Sequence, residues 1–339
     1  MSNSNTNLAA ARKAKNDEFY TRYEDVAAEM QAYLAYDGDM FRDKTVLCPC
    51  DDPSRSNFTK YFTDNFCRLG LRKLISTSYA NGMMGKEIHG RIRAISRDAT
   101  VQPNIPIIEH DGYLEGDGDF RSDEVTALRD KADFIITNPP FSLFSDFIVW
   151  VMGGSGHKQF AAIGNMNALT YGEVFPLVMA GEIWLGTTKP HEFMLPDQVG
   201  RQDGSTQRFG NIRWYTNISH GIRHTPLPLM TAEQNIRSNS RLRKRLECDY
   251  GCDTYPHYDN YNALEVPFVD CIPSDYDGIM GVPITFVDRH CPEQFKIVGA
   301  TESEGTGFSN GLWDASSKVA QPMVCGRRVY KRLFICPCG

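Results

Sequence analysis

The sequence predicts an α/β fold with a doubly wound, mostly parallel central sheet. Short apolar runs alternate with amphipathic stretches over the first half of the chain, which is the pattern of alternating strands and helices. Several of these runs end in a polar turn, as strands do at the sheet edge where ligands bind. We predict strands at residues 45–50, 72–79, 105–111, 133–138 and 160–164.

The composition is that of a globular protein. The chain has 339 residues, of which 41% are hydrophobic and 23% are charged, enough for one large domain or two of ordinary size. It has no run of about eighteen apolar residues, so we expect no membrane span. Its polar N-terminus lacks the apolar centre of a signal peptide, and we expect a cytoplasmic protein.

Ten cysteines could bind a metal or form disulfides. The closest pairs, Cys48-Pro49-Cys50 and Cys336-Pro337-Cys338, do not have the spacing of zinc sites. Without a secretory signal, we expect reduced thiols and no metal.

The N-terminal part of the chain predicts an arm and two helices. Residues 1–14 have the composition of a flexible arm. Apolar residues then recur at helical spacing and predict an amphipathic helix. These are Val26, Met30, Tyr33 and Leu34. A second helix is predicted at residues 54–66, directly after Asp51-Asp52-Pro53 at the end of the first strand.

The most informative stretch is Asn138-Pro139-Pro140-Phe141, which follows an apolar strand. Proline fixes φ and has no N–H to donate, so a rigid extended turn must begin after Asn138. An exocyclic amine could donate to the Asn138 side chain and the Pro139 carbonyl, while Phe141 stacks on the ring that carries it. An ordinary strand stopped by prolines would explain the pattern as well.

A helix is predicted after this turn. Its apolar face is formed by Leu143, Phe144, Phe147, Ile148 and Val151, and Gly153-Gly154 ends it. Residues 181–185 and 213–216 are predicted to pair at the sheet edge. The polar segment 189–211 between them is long for a loop, and loops of that length are usually functional or disordered.

The C-terminal part has weaker periodicity, with short strands predicted at 284–287 and 295–298. Its tyrosines suit contact with unstacked bases, but they equally suit a small β core. The net charge is −6, yet a local basic face can still bind phosphate. Two basic clusters are Arg237, Arg241, Arg243, Lys244, Arg245 and Arg327, Arg328, Lys331, Arg332. Ordinary solvated surfaces would explain both clusters as well.

Several motifs, in one order along nearly the whole chain, resemble those of the EcoRI-type adenine-specific DNA methyltransferases. They are Lys15-Asn16-Asp17-Glu18-Phe19-Tyr20-Thr21, Cys50-Asp51-Asp52-Pro53, Gly116-Asp117-Gly118-Asp119-Phe120, Asn138-Pro139-Pro140-Phe141, Arg213-Trp214-Tyr215-Thr216-Asn217, Tyr258-Asp259-Asn260-Tyr261 and Met280-Gly281-Val282-Pro283-Ile284-Thr285-Phe286. The resemblance implies a Rossmann-like methyltransferase fold. Such an enzyme would use S-adenosylmethionine to methylate N6 of a flipped-out adenine in double-stranded DNA. A restriction endonuclease acting on the same site would be its partner.

The resemblance also implies roles for regions and residues. Residues 15–224 would form the catalytic domain, and residues 225–339 the target-recognition region. The catalytic residues would be Asn138, Pro139, Pro140 and Phe141. The cofactor-binding residues would be Phe19, Tyr20, Thr21, Asp51, Asp52, Pro53, Asn57, Asp119 and Phe120. From the first basic cluster, and not from the resemblance, the expected DNA-binding residues are Arg241, Arg243, Lys244 and Arg245.

The chain departs from the usual methyltransferase pattern at two strand ends. The glycine-rich turn after the first strand is replaced by Pro53, Ser54 and Asn57. The second strand ends in Ser76-Thr77-Ser78, so no ribose carboxylate is assigned. Asp119 is assigned to the amino group of the cofactor's adenine, with Asp111 as the second choice.

Other substrates and a non-catalytic role stay open at this point. The same motif serves methylation of cytosine N4, of glutamine side chains and of adenine in RNA, because each presents an sp² amine. The chain could also be a catalytically silent DNA-binding protein. The intact Asn138 and Phe141 favour an enzyme.

Overall fold

The computed structural model describes residues 20–80, 89–97, 105–154, 158–194, 206–302 and 307–338. The chain divides into two compact units. The first comprises Met1–Glu173 and Leu185–His220, and the second comprises Val174–Trp184 and Gly221–Gly339. No helix within the described segments is long and apolar enough to cross a membrane.

The strands up to residue 216 form one large sheet and one small sheet. They are β1 (Tyr20–Thr21), β2 (Thr45–Cys48), β3 (Lys73–Ser78), β4 (Arg91–Arg97), β5 (Pro106–Tyr113), β6 (Phe134–Thr137), β7 (Gln159–Asn165), β8 (Trp184–Leu185), β9 (Glu192–Met194), β10 (Thr206–Arg208) and β11 (Ile212–Thr216). The large sheet has the order β5-β4-β3-β2-β6-β7-β11-β8, and the small sheet has the order β1-β9-β10. The predicted pairing of 181–185 with 213–216 at the sheet edge is confirmed by β8 and β11.

The large sheet is mixed, which corrects the prediction of a mostly parallel sheet. The four central strands β3, β2, β6 and β7 are parallel. In contrast, β4 and β5 are antiparallel to their neighbours, and β11 is antiparallel to β7. Only eight residues separate β4 from β5, too few for the helical crossover that parallel neighbours need. The chain continues from β2 to β3 on one side and reaches β6 on the other, so the carboxyl ends of β2 and β6 flank a topological switch point.

The helices of the first unit are α1 (Tyr23–Tyr36), α2 (Asn57–Asp64), α3 (Phe66–Leu69), α4 (Asp123–Lys131) and α5 (Phe144–Met152), with 3₁₀ turns at Phe141–Leu143 and Met166–Thr170. Val26, Met30 and Tyr33 of α1 are fully buried in the core, as their spacing predicts. The predicted helix at 54–66 begins later, at Asn57, because the Ser56 hydroxyl accepts the Phe58 N–H at 3.0 Å and caps the helix.

The segment predicted as a functional loop at 189–211 contains two strands in its described part. β9 pairs with β1, with Thr21 opposite Phe193, and β10 pairs with the other side of β9. Tyr20 and Thr21 of the N-terminal motif thus form one strand of this small sheet.

The second unit is built on a four-stranded sheet with the order β12-β13-β17-β14. Its strands are β12 (Leu264–Glu265), β13 (Met280–Pro283), β14 (Phe295–Ala300), β15 (Met323–Val324), β16 (Arg327–Arg328) and β17 (Arg332–Pro337). Its helices are α6 (Phe175–Met179), α7 (Ala232–Ser238), α8 (Ser240–Lys244) and a π-helix (Arg245–Tyr250), with 3₁₀ turns at Gly221–His224, Val269–Cys271, Ile284–Arg289 and Ala315–Ser317. The strand predicted at 295–298 is confirmed. The strand predicted at 284–287 is wrong, because that apolar run forms a 3₁₀ turn.

A buried ion pair links two strands of this sheet. The Arg332 guanidinium on β17 donates to the Glu265 carboxylate on β12 at 2.6 and 3.0 Å, and both side chains are almost fully buried. The Tyr250 hydroxyl donates to the same carboxylate at 3.0 Å, and the Tyr258 hydroxyl is a further donor. Gly281 of β13 leaves room for Tyr258, since a Cβ at this position would lie 2.3 Å from the Tyr258 hydroxyl oxygen.

We therefore expect Arg332→Met to destabilise the chain by about 3–5 kcal/mol, because it leaves a buried carboxylate without its cation. The double variant Glu265→Gln/Arg332→Met should be less destabilised, since no charge stays buried. Denaturant unfolding measures both. Arg289→Met, at an exposed position, is the control and should change stability by less than about 0.5 kcal/mol. Equal stability of Arg332→Met and Arg289→Met would contradict the role of the pair.

Candidate active site

The Asn-Pro-Pro-Phe motif lies at the carboxyl end of β6, as the sequence predicts. Phe134–Thr137 is completely buried, and Asn138 is half-buried. Phe141 begins a 3₁₀ turn and is 9% exposed. Its ring packs edge to face against the ring of Phe193 of β9, with 6.4 Å between the two ring centroids. The motif thus joins the end of a central strand to the small sheet.

The buried carboxyl group of Asp51 connects the end of β2 to the end of β6. Its two oxygens accept the Ser56 hydroxyl at 2.6 Å and the Thr137 hydroxyl at 2.5 Å. The backbone N–H of Asn138 donates to the same carboxyl group. The Thr137 hydroxyl in turn accepts the Cys50 N–H at 3.1 Å. This Asp51 network fixes the backbone immediately before the prolines.

Burial raises the pKa of Asp51 to about 7, because an ionised carboxylate loses its hydration there. The hydrogen bonds from Ser56, Thr137 and the Asn138 N–H act in the opposite direction and stabilise the ionised form. The nearby charge of Asp52 raises the pKa slightly further. Asp51 is therefore poised to change its protonation state near neutral pH.

The predicted cofactor residues next to Asp51 form a turn without glycine. One Asp52 oxygen accepts the N–H groups of Ser54 and Arg55 at 2.8 and 3.1 Å. The Pro53 carbonyl accepts the Arg93 guanidinium at 2.9 Å. The Asp52 side chain thus stabilises this turn by hydrogen bonds, at a place where α/β sheets of this class usually have glycines.

The N-terminal motif and the start of α2 meet at the same edge. The Asn57 side-chain amide donates to the Thr21 carbonyl at 2.8 Å. Thr21 pairs with Phe193, which contacts Phe141. Four residues from distant parts of the sequence are thereby brought together. Phe19, also predicted to bind cofactor, lies outside the described residues.

The glycine-rich turn before α4 packs against the end of β3. Gly118 has φ +82°, and a Cβ there would lie 2.3 Å from the Ser78 carbonyl oxygen. The Asp119 carboxylate accepts hydrogen bonds from two guanidinium nitrogens of Arg121 at 2.7 and 3.0 Å. These hydrogen bonds lower the pKa of Asp119. Phe120 is buried against the side chains of α5. Asp111, the second choice for the adenine contact, is paired instead with Arg93 at 2.9 Å.

Three of the four residues predicted to bind DNA have contacts inside the second unit. Arg241 lies over the Phe268 ring and pairs with Asp270 at 3.1 Å. Arg243 donates to the Ile236 carbonyl at 2.9 Å. The third contact joins Arg245 to Asp249 at 2.6 Å. Lys244 is exposed at the end of α8. Of the second basic cluster, Arg332 is buried and cannot contribute to a surface.

Sequence reasoning did not single out Thr137 or Ser56. Thr137 had a detectable signal, because it is a polar residue that ends an otherwise apolar strand directly before Asn138. Ser56 had the signal of a helix N-cap. Their shared acceptor could be identified only from the packing of β2 beside β6.

Comparison with known proteins gives concordant matches. The family described as adenine-specific methyltransferase EcoRI matches residues 7–335. Type II methyltransferase M.EcoRI of Escherichia coli is 37% identical over 307 residues, covering 86% of this chain and 88% of the relative. Type II methyltransferase M.MpnI of Mycoplasma pneumoniae is 33% identical over 301 residues, covering 85% and 83%. A third relative, M.MgeORF184P of Mycoplasma genitalium, is 29% identical over 341 residues, covering 96% of each chain. No solved structure matches.

The raised pKa of Asp51 predicts a specific dependence of stability on pH. The unfolded chain ionises this group near its ordinary value of 3.8, whereas the folded chain ionises it only near 7. Between these values the folded state binds the extra proton, so the contribution of Asp51 to stability is complete at the acidic end and is lost as the pH rises to about 7. Each pKa unit corresponds to about 1.4 kcal/mol, so we expect a loss of a few kcal/mol at most.

Denaturant unfolding as a function of pH tests this expectation. Asp51→Asn should remove that part of the decline, whereas the exposed Asp39→Asn should keep it. If Asp51→Asn follows the wild-type curve over this range, another group is responsible for the decline.

Proposed function

The chain belongs to the EcoRI family of adenine-specific methyltransferases, and from this membership we propose that it methylates N6 of adenine at specific sites in double-stranded DNA. The observation that carries the proposal is the position of Asn138-Pro139-Pro140-Phe141 at the carboxyl end of β6, at the switch point beside β2. Ligands of open α/β sheets bind at such points. We further propose that the first unit is a Rossmann-like catalytic domain and that the second unit recognises the DNA target.

The residues of this motif suit the chemistry of an exocyclic amine. The lone pair of adenine N6 is delocalised into the ring, so the amine is a poor nucleophile. The Asn138 side-chain oxygen and the Pro139 carbonyl would accept its two hydrogens and favour a pyramidal nitrogen. Fixed acceptors of this kind stabilise the transition state more than the ground state. Pro140 would stiffen the turn that holds both acceptors.

Phe141 would provide a ring face for the target base. The N6 atom of a paired adenine lies inside the duplex, so the base must leave the stack before it can react. Phe193 packs against Phe141 edge to face, with 6.4 Å between the ring centroids. Asp51 would act as a positioning residue, because its carboxyl group accepts the Asn138 N–H and the Thr137 hydroxyl.

The residues around the strand ends fit S-adenosylmethionine, which would supply a methyl group on a sulfonium. The ammonium, ribose and adenine amine of this cofactor are hydrogen-bond donors, and the half-exposed carboxylates of Asp52 and Asp119 are acceptors. The N-terminus of α2, beginning at Asn57, favours an anionic carboxylate. Tyr20, Thr21, Pro53 and Phe120 would complete the cofactor site. Asp51 would support this site from the interior and would not contact the cofactor. Its carboxyl group is buried and already accepts three hydrogen bonds.

The matched relatives are named Type II methyltransferases. We therefore propose that this chain also belongs to a restriction–modification system, with a cognate endonuclease that acts on the same DNA site. Protection of the host DNA requires methylation of every copy of that site.

Sequencing of methylated DNA from a host that otherwise lacks N6-methyladenine tests the function. Expression of the chain should produce N6-methyladenine at one recurring sequence. Methylation of cytosine N4, or transfer of labelled methyl groups to RNA alone, would contradict the proposal. If the chain methylates no DNA in cells and transfers no labelled methyl group to DNA in vitro, it is a silent DNA-binding protein.

Asn138→Ala should lower the rate of methyl transfer by at least about 100-fold, because a fixed transition-state partner is lost. Titration calorimetry with S-adenosylmethionine should show nearly unchanged binding, since the proposed role of the side chain is to contact the base and not the cofactor. Asn138→Asp keeps two acceptor oxygens and should retain more activity than the alanine variant. Wild-type turnover by Asn138→Ala would overturn the assignment.

The positioning role of Asp51 predicts a second kinetic effect. The ionised carboxylate can accept all three donors, whereas the protonated form cannot. The single-turnover rate should therefore rise with ionisation near pH 7. We expect Asp51→Asn to lower this rate about ten-fold and to flatten the rise, with a similar flattening in Thr137→Val. A purely structural role would leave the shape of the pH profile unchanged.

A further inference from the structure

We propose that residues 323–330 of the second unit, here called the exposed hairpin, contact double-stranded DNA directly through Arg328 and Tyr330. This inference rests on the proposed function and adds a DNA-contacting element to it. The element comprises β15, β16 and the residues that follow. Three independent features support it, namely a fixed backbone, an exposed aromatic ring and a local excess of positive charge.

The backbone of the exposed hairpin is held in one conformation. Met323 pairs with Arg328 and Val324 pairs with Arg327. The two turn residues, Cys325 and Gly326, have φ values of 47° and 75°, which are typical of the tight turn that joins twisted strands.

Both turn residues are also hydrogen-bonded to the body of the unit. The N–H groups of Cys325 and Gly326 donate to the Asp259 carboxylate at 3.0 and 2.7 Å. The Asp259 N–H donates in return to the Met323 carbonyl at 2.8 Å. The turn therefore needs no partner to become ordered, and binding through it loses little conformational entropy.

The exposed hairpin has both buried and exposed side chains. Val324 is fully buried and Val329 is 5% exposed, so they anchor it to the unit. Arg327 and Arg328 are exposed, and Tyr330 is 85% exposed. A rigid segment that holds a large aromatic ring in water is unusual for a monomer surface, whereas tyrosine and arginine are enriched at interfaces.

The charge around the exposed hairpin is positive although the chain is acidic overall. Arg327 lies 3.6 Å from Asp249, which also pairs with Arg245 at 2.6 Å. The two basic clusters of the sequence therefore meet at this acidic residue. Glu247 lies in the same helical turn. The basic residues Lys244, Arg245, Arg327 and Arg328 thus outnumber the acidic residues Glu247, Asp249 and Asp259 by one.

A guanidinium beside an exposed aromatic ring matches the chemistry of DNA. Arg328 would neutralise a backbone phosphate, a contact that fixes position without reading sequence. Tyr330 would offer its ring to a nucleobase that has left the stack. Arg328 ends β16 and Tyr330 follows it by two residues, so a single groove or a single distorted base step of the DNA could contact both side chains.

Binding of a short labelled duplex tests this inference. The duplex carries the sequence found methylated in the expressing host, and the full chain is titrated at several salt concentrations. Arg328→Ala should weaken binding about ten-fold and reduce the slope of log affinity against log salt by about 1. Tyr330→Ala should weaken binding about ten-fold with an unchanged salt slope. At saturating DNA, the single-turnover methylation rate should stay that of the wild type.

Matched controls separate this effect from general loss of charge or of aromatic surface. Lys296→Ala removes an exposed cation of the same unit, and Tyr113→Ala removes a tyrosine that is 59% exposed in the first unit. Both should bind DNA like the wild type. A photoreactive benzophenone side chain at position 330 should crosslink to the duplex, and the same group at position 113 should not. The crosslink provides a readout that does not depend on the stability of an alanine variant.

The outcomes distinguish the inference from the function on which it rests. If the wild type methylates DNA while both hairpin variants bind like the controls and position 330 does not crosslink, the hairpin assignment is overturned and the function stands. If the wild type neither binds nor methylates DNA, both are overturned.

Discussion

A single buried carboxyl group governs the geometry of the candidate active site. Asp51 accepts hydrogen bonds from Ser56, Thr137 and the Asn138 N–H, and so ties the start of α2 to the end of β6. Its ionised form suits these three donors, while its burial opposes ionisation. The two tendencies nearly balance at neutral pH. The site therefore combines a rigid, proline-stiffened turn with a support that costs the fold some stability when it is charged.

The features predictable from the sequence are those that depend on short stretches of chain. The position of Asn138 followed from an apolar run and two prolines, and the helix after it followed from the spacing of Phe144, Phe147 and Val151. Asp51 shows the limit of this reasoning. A carboxylate at a strand end has the same local pattern whether it faces a ligand or the interior. Only the packing of β2 beside β6, which brings Asp51 to Thr137 across a sequence separation of 86, decides its orientation.

Longer-range pairings account for the errors. The strand β4 is not among those predicted from the sequence, and without it the short antiparallel connection from β4 to β5 could not be recognised. In the second unit, Arg332 follows other basic residues in the sequence, yet it lies buried against Glu265. The run at 284–287 is apolar, and apolarity alone does not separate a short strand from a 3₁₀ turn. The hairpin turn at Cys325 and Gly326 likewise depends on Asp259, which is distant in sequence.

The large distance along the chain between β2 and β6 also has a consequence for how the protein matures. Strands β3, β4 and β5 pair with sequence neighbours, whereas β2 acquires its second neighbour only after the chain has been synthesised through β6. Contacts of such high sequence separation form late, because a long loop must close first. A nascent or truncated chain that stops before β6 contains the Asp51 carboxyl group without its Thr137 and Asn138 partners, so catalytic competence arises only at a late stage of folding.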